Sequence, residues 1–170
     1  MSYIVVDVES DGPSPANYSM VCFGAVLVKD MDKTFYSKTW PINDEYIPEA
    51  LAISGFSREE HKQFDPPGTE MIRFERWIKE VSQPPHIFIS DNPAFDWQWI
   101  NFYFDRYSIE NPFGWSARRI GDLWCGMKKD TFAKWKHHRK TNHTHNPVDD
   151  AKGNAEVIHL MIEQGLKMKL

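Results

Sequence analysis

The stretch Tyr3-Ile4-Val5-Val6-Asp7-Val8-Glu9 decides the fold. It reads as a short apolar strand interrupted by two acids. Strand side chains alternate between faces, so Asp7 and Glu9 project to one side and Val6 and Val8 to the other. Acids at i and i+2 on such a strand are costly unless solvated, paired or bound to metal. A loop with Gly12, Pro13 and Pro15 follows. A second apolar run, Met20-Val-Cys-Phe-Gly-Ala-Val-Leu-Val28, comes next, then a polar turn at Lys29 to Lys33. Thr34 to Trp40 alternates, so the chain opens with a hairpin of antiparallel strands.

Beyond the hairpin, Pro41 to Ile53 reads as irregular. Ser57 and Glu60 have the spacing of a capping box for a short helix. Met71, Ile72, Phe74, Trp77, Ile78 and Val81 give Thr69 to Val81 a helical period. Pro84-Pro85 breaks it, and His86-Ile-Phe-Ile-Ser90 reads as a buried fourth strand. A ring-rich helix is predicted from Pro93 to about Arg106. A weaker strand lies near Arg118 to Leu123, with a helix to about Trp135. The last helix runs from Pro147 to Glu163, with Gly165 as its terminator. The order β-β-β-α-β-α-β-α implies an α/β protein: a mixed five-stranded sheet, leading antiparallel hairpin first, with helices on both faces. Ligands in such sheets sit at strand C-terminal ends. One domain over residues 1–170 is expected.

The chain has 170 residues, 19.9 kDa, 41% hydrophobic and 26% charged residues, an ordinary globular composition. No run approaches the roughly 20 apolar residues of a membrane helix, so no membrane role is expected. Met1 to Val8 holds no basic segment and reaches Asp7 too soon for a signal peptide. With two cysteines, Cys22 and Cys125, a reducing cytoplasm is the expected compartment. The formal net charge is -4. Six cations against one acid between Lys128 and His145 give that segment +5 and leave -9 for the rest. A basic patch on an acidic body is a feature to be explained.

A local device occurs twice. Asn92-Pro-Ala-Phe-Asp96 follows the fourth strand, and Asn146-Pro-Val-Asp-Asp150 opens the last helix. Asn suits the N-cap and Pro the first helical position. Each device sets an acid one turn inside a helix. Acids there are often mere dipole partners, but Asp96 lies between Phe95 and Trp97. His145 sits just before the second cap. His137, His138, His143 and His145 have no CxxC or HExxH companion, so a structural zinc site is not expected.

Together these residues resemble the DEDDh exonucleases of the ribonuclease H-like superfamily, which includes polymerase proofreading exonucleases, exoribonuclease T and oligoribonuclease. Asp7-Val8-Glu9 matches that family's first motif, Asn92 with Phe95-Asp96 its second, and His145 followed after four residues by Asp150 its third. The resemblance covers nearly the whole chain, Ile53 to Glu60 included. It departs at Ser10-Asp11-Gly12, where the family usually has Thr-x-Gly or Thr-Gly, and at Ser90-Asp91, where a Gly-His or Ala-His usually precedes the Asn.

The resemblance implies a ribonuclease H-like fold and metal-dependent 3'-5' hydrolysis of single-stranded nucleic acid from its 3' end to nucleoside 5'-monophosphates. It implies two Mg2+ or Mn2+ ions held by Asp7, Glu9, Asp96 and Asp150, with His145 taking the proton from the attacking water. A homodimer is compatible with it. RNA is favoured slightly over DNA, by analogy with small members of the family. Ser10, Gly12, Phe56, Asn92 and Trp97 are the substrate candidates in or beside the motifs. Lys136, Arg139 and Lys140 are candidates for a strand-guiding arm, since rings and cations together suit single strands. The competing readings are a ribonuclease H-type endonuclease and an inactive nucleic-acid-binding module. His145 and the strand-borne Asp7-Val-Glu9 speak against the first, and the presence of all five motif residues against the second.

Overall fold

The structure, a computed structural model, describes residues 1–170. β1 (Ser2–Ser10), β2 (Met20–Leu27) and β3 (Asp30–Lys38) form an antiparallel meander. β4 (His86–Ser90) and β5 (Ala117–Arg119) join parallel to β1 in the sheet order β3-β2-β1-β4-β5. β2 is buried along its whole length, as a strand flanked on both sides and covered on both faces must be.

The parity of β1 sets the two cores. Ile4, Val6 and Val8 pack into one layer with Phe74 and Ile78 of α3 (Pro67–Val81) and Trp99 and Tyr103 of α4 (Pro93–Arg106). Tyr3 and Val5 pack into the other with Ile120 and Trp124 of α5 (Ile120–Lys128) and Ala151, Ala155 and Ile158 of α6 (Pro147–Glu163). Burying a large apolar side chain contributes about 1.5–3 kcal/mol, so both faces hold the sheet. Asp7 and Glu9 have the parity of Tyr3 and Val5, and project towards α6.

The mixed five-stranded sheet with helices on both faces is as expected. Three local readings change. The supposedly irregular Pro41 to Ile53 contains α1 (Pro48–Ile53), started by Pro48 and anchored by buried Leu51. The weak strand pairs only over Ala117–Arg119; Ile120 and Trp124, both buried, have the i, i+4 spacing of a helix face, and α5 begins there. That helix stops at Lys128, short of Trp135, because Lys129 turns left-handed at φ 53°. The capping box at Ser57 and Glu60 closes α2 (Arg58–His61) at both of its hydrogen bonds. Gly165, at φ 102°, follows α6 as its terminator.

Candidate active site

β1 delivers Asp7 and Glu9 where its pairing with β4 has already ended at Val5. α6 crosses directly above them. It comes this close because Gly24, the β2 partner of Asp7, has no side chain. A Cβ there would lie 2.6 Å from the backbone of Pro147 and Val148. The helix start is fixed by Asn146, whose Oδ1 accepts from Val148 N–H at 3.0 Å. Asp150 then points into the crevice, and ligand-type oxygens of Asp7, Glu9 and Asp150 lie within 4.8 Å of one another. Asp96 enters from α4 and accepts from Val8 N–H at 3.2 Å, between the two strand acids.

Burial pushes the Asp7 carboxyl well above its ordinary range, and Asp96, Glu9 and Asp150 add to it. The Arg139 guanidinium acts against this, more weakly. Burial, then Asp150 and Asp96, raises Glu9 to about 8. Asp96 rises to about 7, chiefly through burial, and the Val8 N–H opposes part of that. Crowded carboxyls with no cation between them resist ionising together.

The imidazoles sit on the loop before α6. His145 Nδ1 is 3.6 Å from Glu9 Oε1, and the residue adopts a left-handed φ of 60°. His143 Nδ1 is 2.8 Å from Asp150 Oδ2, but that oxygen, buried, has no aligned hydrogen bond. Thr144 N–H donates to Asp150 Oδ1 at 3.1 Å, and the Thr144 hydroxyl to Asp149 at 3.1 Å. Asp7, Glu9, Asp96, Asp150 and His145 are thus brought together. The approach of His143 was not foreseen; its only sequence signal is its place two residues before His145.

The substrate candidates divide. Ser10 is buried and donates its hydroxyl to the Gly12 carbonyl at 2.7 Å. Gly12 lies under the Tyr18 ring, 2.2 Å from where a Cβ would stand. Asp11 is fully buried, pairs with Arg58 at 2.7 Å and accepts from Ser19 N–H at 2.5 Å. The unusual Ser10-Asp11-Gly12 is therefore an internal lock, not a set of free nucleotide contacts. Trp97 is half-buried and packs edge-on against Phe88 and Phe113. Phe56 is half-buried, edge-on to Phe64 and below the Lys38 ammonium. Asn92 is exposed and makes no side-chain capping bond, unlike Asn146, so its amide is free.

The basic arm is a strap rather than a free arm. Lys136 pairs with Asp91, and Arg139 reaches the same carboxylate at 3.6 Å. Arg139 also donates to Asn154 of α6 at 2.5 Å, with its side chain only 9% exposed. Glu156 accepts from the Lys140 and Thr141 N–H groups at 2.6 and 2.9 Å. Lys134 and Lys140 keep exposed side chains.

Four acids converging from a strand and two helix starts, with an imidazole at the rim, form the layout of a phosphodiester hydrolase. Comparison with known proteins agrees. The nuclease domain of 3'hExo, described as a DEDDh family member bound to rAMP, superposes with a TM-score of 0.78 at 16% identity, over 99% of this chain and 94% of that one. Exonuclease I of E. coli, in its zinc-bound complex with single-stranded DNA, gives a TM-score of 0.73 at 18% identity over 96% of this chain. The chain spans 41% of that larger enzyme. A curated relative, 3'-5' DNA exonuclease Cap18 of Escherichia coli, is 33% identical over 99% of this chain and 95% of its own length. Residues 2–162 match the model of the 3'-5' exoribonuclease Rv2179c-like domain, and the chain belongs to that family. It is a 3'-5' exonuclease with a ribonuclease H-like fold. No helix is long and apolar enough to cross a membrane.

Proposed function

We propose that residues 1–170 form a single catalytic domain that removes nucleotides from the 3' end of single strands and releases nucleoside 5'-monophosphates with the help of two divalent cations. The observation that carries this reading is the convergence of Asp7, Glu9 and Asp150, with Asp96 seated against Val8 N–H between them.

The residues suit hard cations. The donor set is all oxygen, and Asp150 holds a buried oxygen with no hydrogen bond. Asp7, Glu9, Asp96 and Asp150 would hold Mg2+ or Mn2+. Such a pair, when bound, neutralises the scissile phosphate, eases loss of a proton from water and stabilises the leaving oxygen. The chain's own groups do the rest. The Thr144 and Val8 N–H groups orient Asp150 and Asp96. His145, exposed beside Glu9, takes the proton of the attacking water and carries it to solvent. An imidazole suits that exchange near neutral pH. Asn92 offers its free amide, and Phe56 its half-exposed ring, to the terminal nucleotides.

Both sugars are proposed as substrates. Ser10 and Asp11 are committed inside the protein, so neither of these two side chains is spare for a 2'-hydroxyl. The family model is described by RNA and the full-length relative by DNA. The test is digestion of matched 5'-labelled RNA and DNA strands with Mg2+ or Mn2+. A ladder shortening from the 3' end, with 5'-monophosphates released from both, is expected. Internal cleavage, or undiminished cleavage in a chelator, overturns the reading.

A further inference from the structure

A second donor group shares only Asp150 with the all-oxygen set. His143, His145 and Asp150 each offer a ligand atom, and the three atoms lie within 4.8 Å of one another. The two rings are 4.3 Å apart between centroids. Both imidazoles are about half exposed, at 52% and 47%. The carboxylate cannot turn. It is 1% exposed, and Thr144 N–H holds its Oδ1. Its Oδ2 is left buried and without an aligned hydrogen bond, with His143 Nδ1 beside it. The Thr144 hydroxyl and the Asn146 cap tie the same short loop to the start of α6.

We propose that His143, His145 and Asp150 form a zinc site that switches the nuclease off. Two imidazoles and one carboxylate, with a fourth position left to water or to Glu9, are a usual zinc ligand set. Zinc–ligand bonds of about 2.0–2.2 Å put tetrahedral donors roughly 3.3 Å apart. His143 Nδ1 is already 2.8 Å from Asp150 Oδ2, so what remains is for the other donor separations, none above 4.8 Å, to close by at most about 1.5 Å. Mg2+ prefers oxygen, so the nitrogen donors select a softer ion. Bound zinc takes the lone pair with which His145 accepts a proton, and takes Asp150 from the catalytic cations. The inhibitory consequence rests on the proposed function; the binding site does not.

Zinc binding is measured first, without substrate, by competition with a chromophoric chelator and by the visible bands of a four-coordinate Co2+ site. Wild-type protein is expected to bind Zn2+ at least tenfold more tightly than His143→Gln. His143→Cys, which restores a zinc ligand, is expected to bind like wild type. Nuclease assays in excess Mg2+ come second. Low zinc concentrations should inhibit wild type, while His143→Gln keeps its Mg2+ activity and needs at least tenfold more zinc for the same inhibition. Equal zinc affinity and equal inhibition in wild type and His143→Gln would overturn the site. If Mg2+ supports no cleavage but zinc binding depends on His143, the functional reading fails and the site stands.

Discussion

At the scale of single residues, the acids define both the chemistry and its cost. Glu9 is raised to about 8 and Asp96 to about 7, from ordinary values near 4, chiefly by burial. A carboxyl raised in the folded state favours folding below its unfolded value, and that contribution is lost as pH climbs through the folded value. The metal-free protein should therefore lose stability steadily between about pH 4 and pH 8. A change of about 2 kcal/mol moves the melting temperature of a chain this size by roughly 4–8 °C. Under the proposed function, Mg2+ would bind the ionised folded form and should recover the loss, most strongly near pH 8. Thermal melts across pH, with chelator and with Mg2+, check this; a flat chelator profile would refute it. Asp7→Asn should raise the metal-free melting temperature near pH 8 and abolish cleavage, since it removes both the repulsion and a ligand. His145→Ala should cost roughly 100- to 10,000-fold in rate, the usual range for a lost general base. It should leave Mg2+ stabilisation in place. Single-turnover assays separate these effects.

Helices and strands convert those residues into a site, and here the close approach of α6 to β2 is decisive. Gly24→Ala would drive a methyl into the backbone at Pro147 and Val148. Overpacking of this kind costs about 1–3 kcal/mol, and the shift passes to Asp150 and His145 on the same helix start. Activity should fall more than stability, which melts and rate assays on one preparation will compare. The strap gives a second contrast. Arg139 is mostly covered between Asp91 and Asn154, so Arg139→Ala removes a charged hydrogen bond to Asn154 and should cost about 2 kcal/mol. Lys136 is 62% exposed in its pair with Asp91, and Lys136→Ala should cost at most about 1 kcal/mol. Equal losses in urea unfolding would contradict the strap. Much of this level was legible in the chain. Strand parity put Asp7 and Glu9 on one side, and the Asn-Pro devices marked both helix starts that supply acids. What was not legible depends on partners far apart in sequence. Arg139 meets Asp91, Trp97 meets Phe113, and Gly12 lies beneath Tyr18; nothing local in the chain distinguishes such residues from solvent-facing ones.

On the scale of the whole molecule, the charge pattern has to be reread. The segment from Lys128 to His145 carries +5 against -9 elsewhere, yet not all of that charge is available to a substrate. Lys136 and Arg139 are drawn to Asp91, and Lys128 donates to Gln164 at 2.8 Å. Lys134 and Lys140 remain exposed and take no part in the pairs with Asp91. Any electrostatic guidance of a strand by this segment should therefore come from those two together with exposed Lys128 and Lys129, which pair with no acid. Each phosphate contact on a single strand adds a slope of roughly -0.7 to log affinity against log salt. Replacing Lys134 and Lys140 together with alanine should make the slope shallower by about 1.4. Long strands should bind more weakly, while a dinucleotide, held by the acid crevice, should be hydrolysed at nearly the same rate. Lys136→Ala alone should leave the slope almost unchanged, because its charge is spent on Asp91. Binding titrations of a long single strand at several salt concentrations, with dinucleotide hydrolysis measured in parallel, decide the matter. A slope that changes with Lys136 but not with the Lys134 and Lys140 pair would mean that substrate pulls the strap open, and that Asp91 competes with phosphate for the same cations.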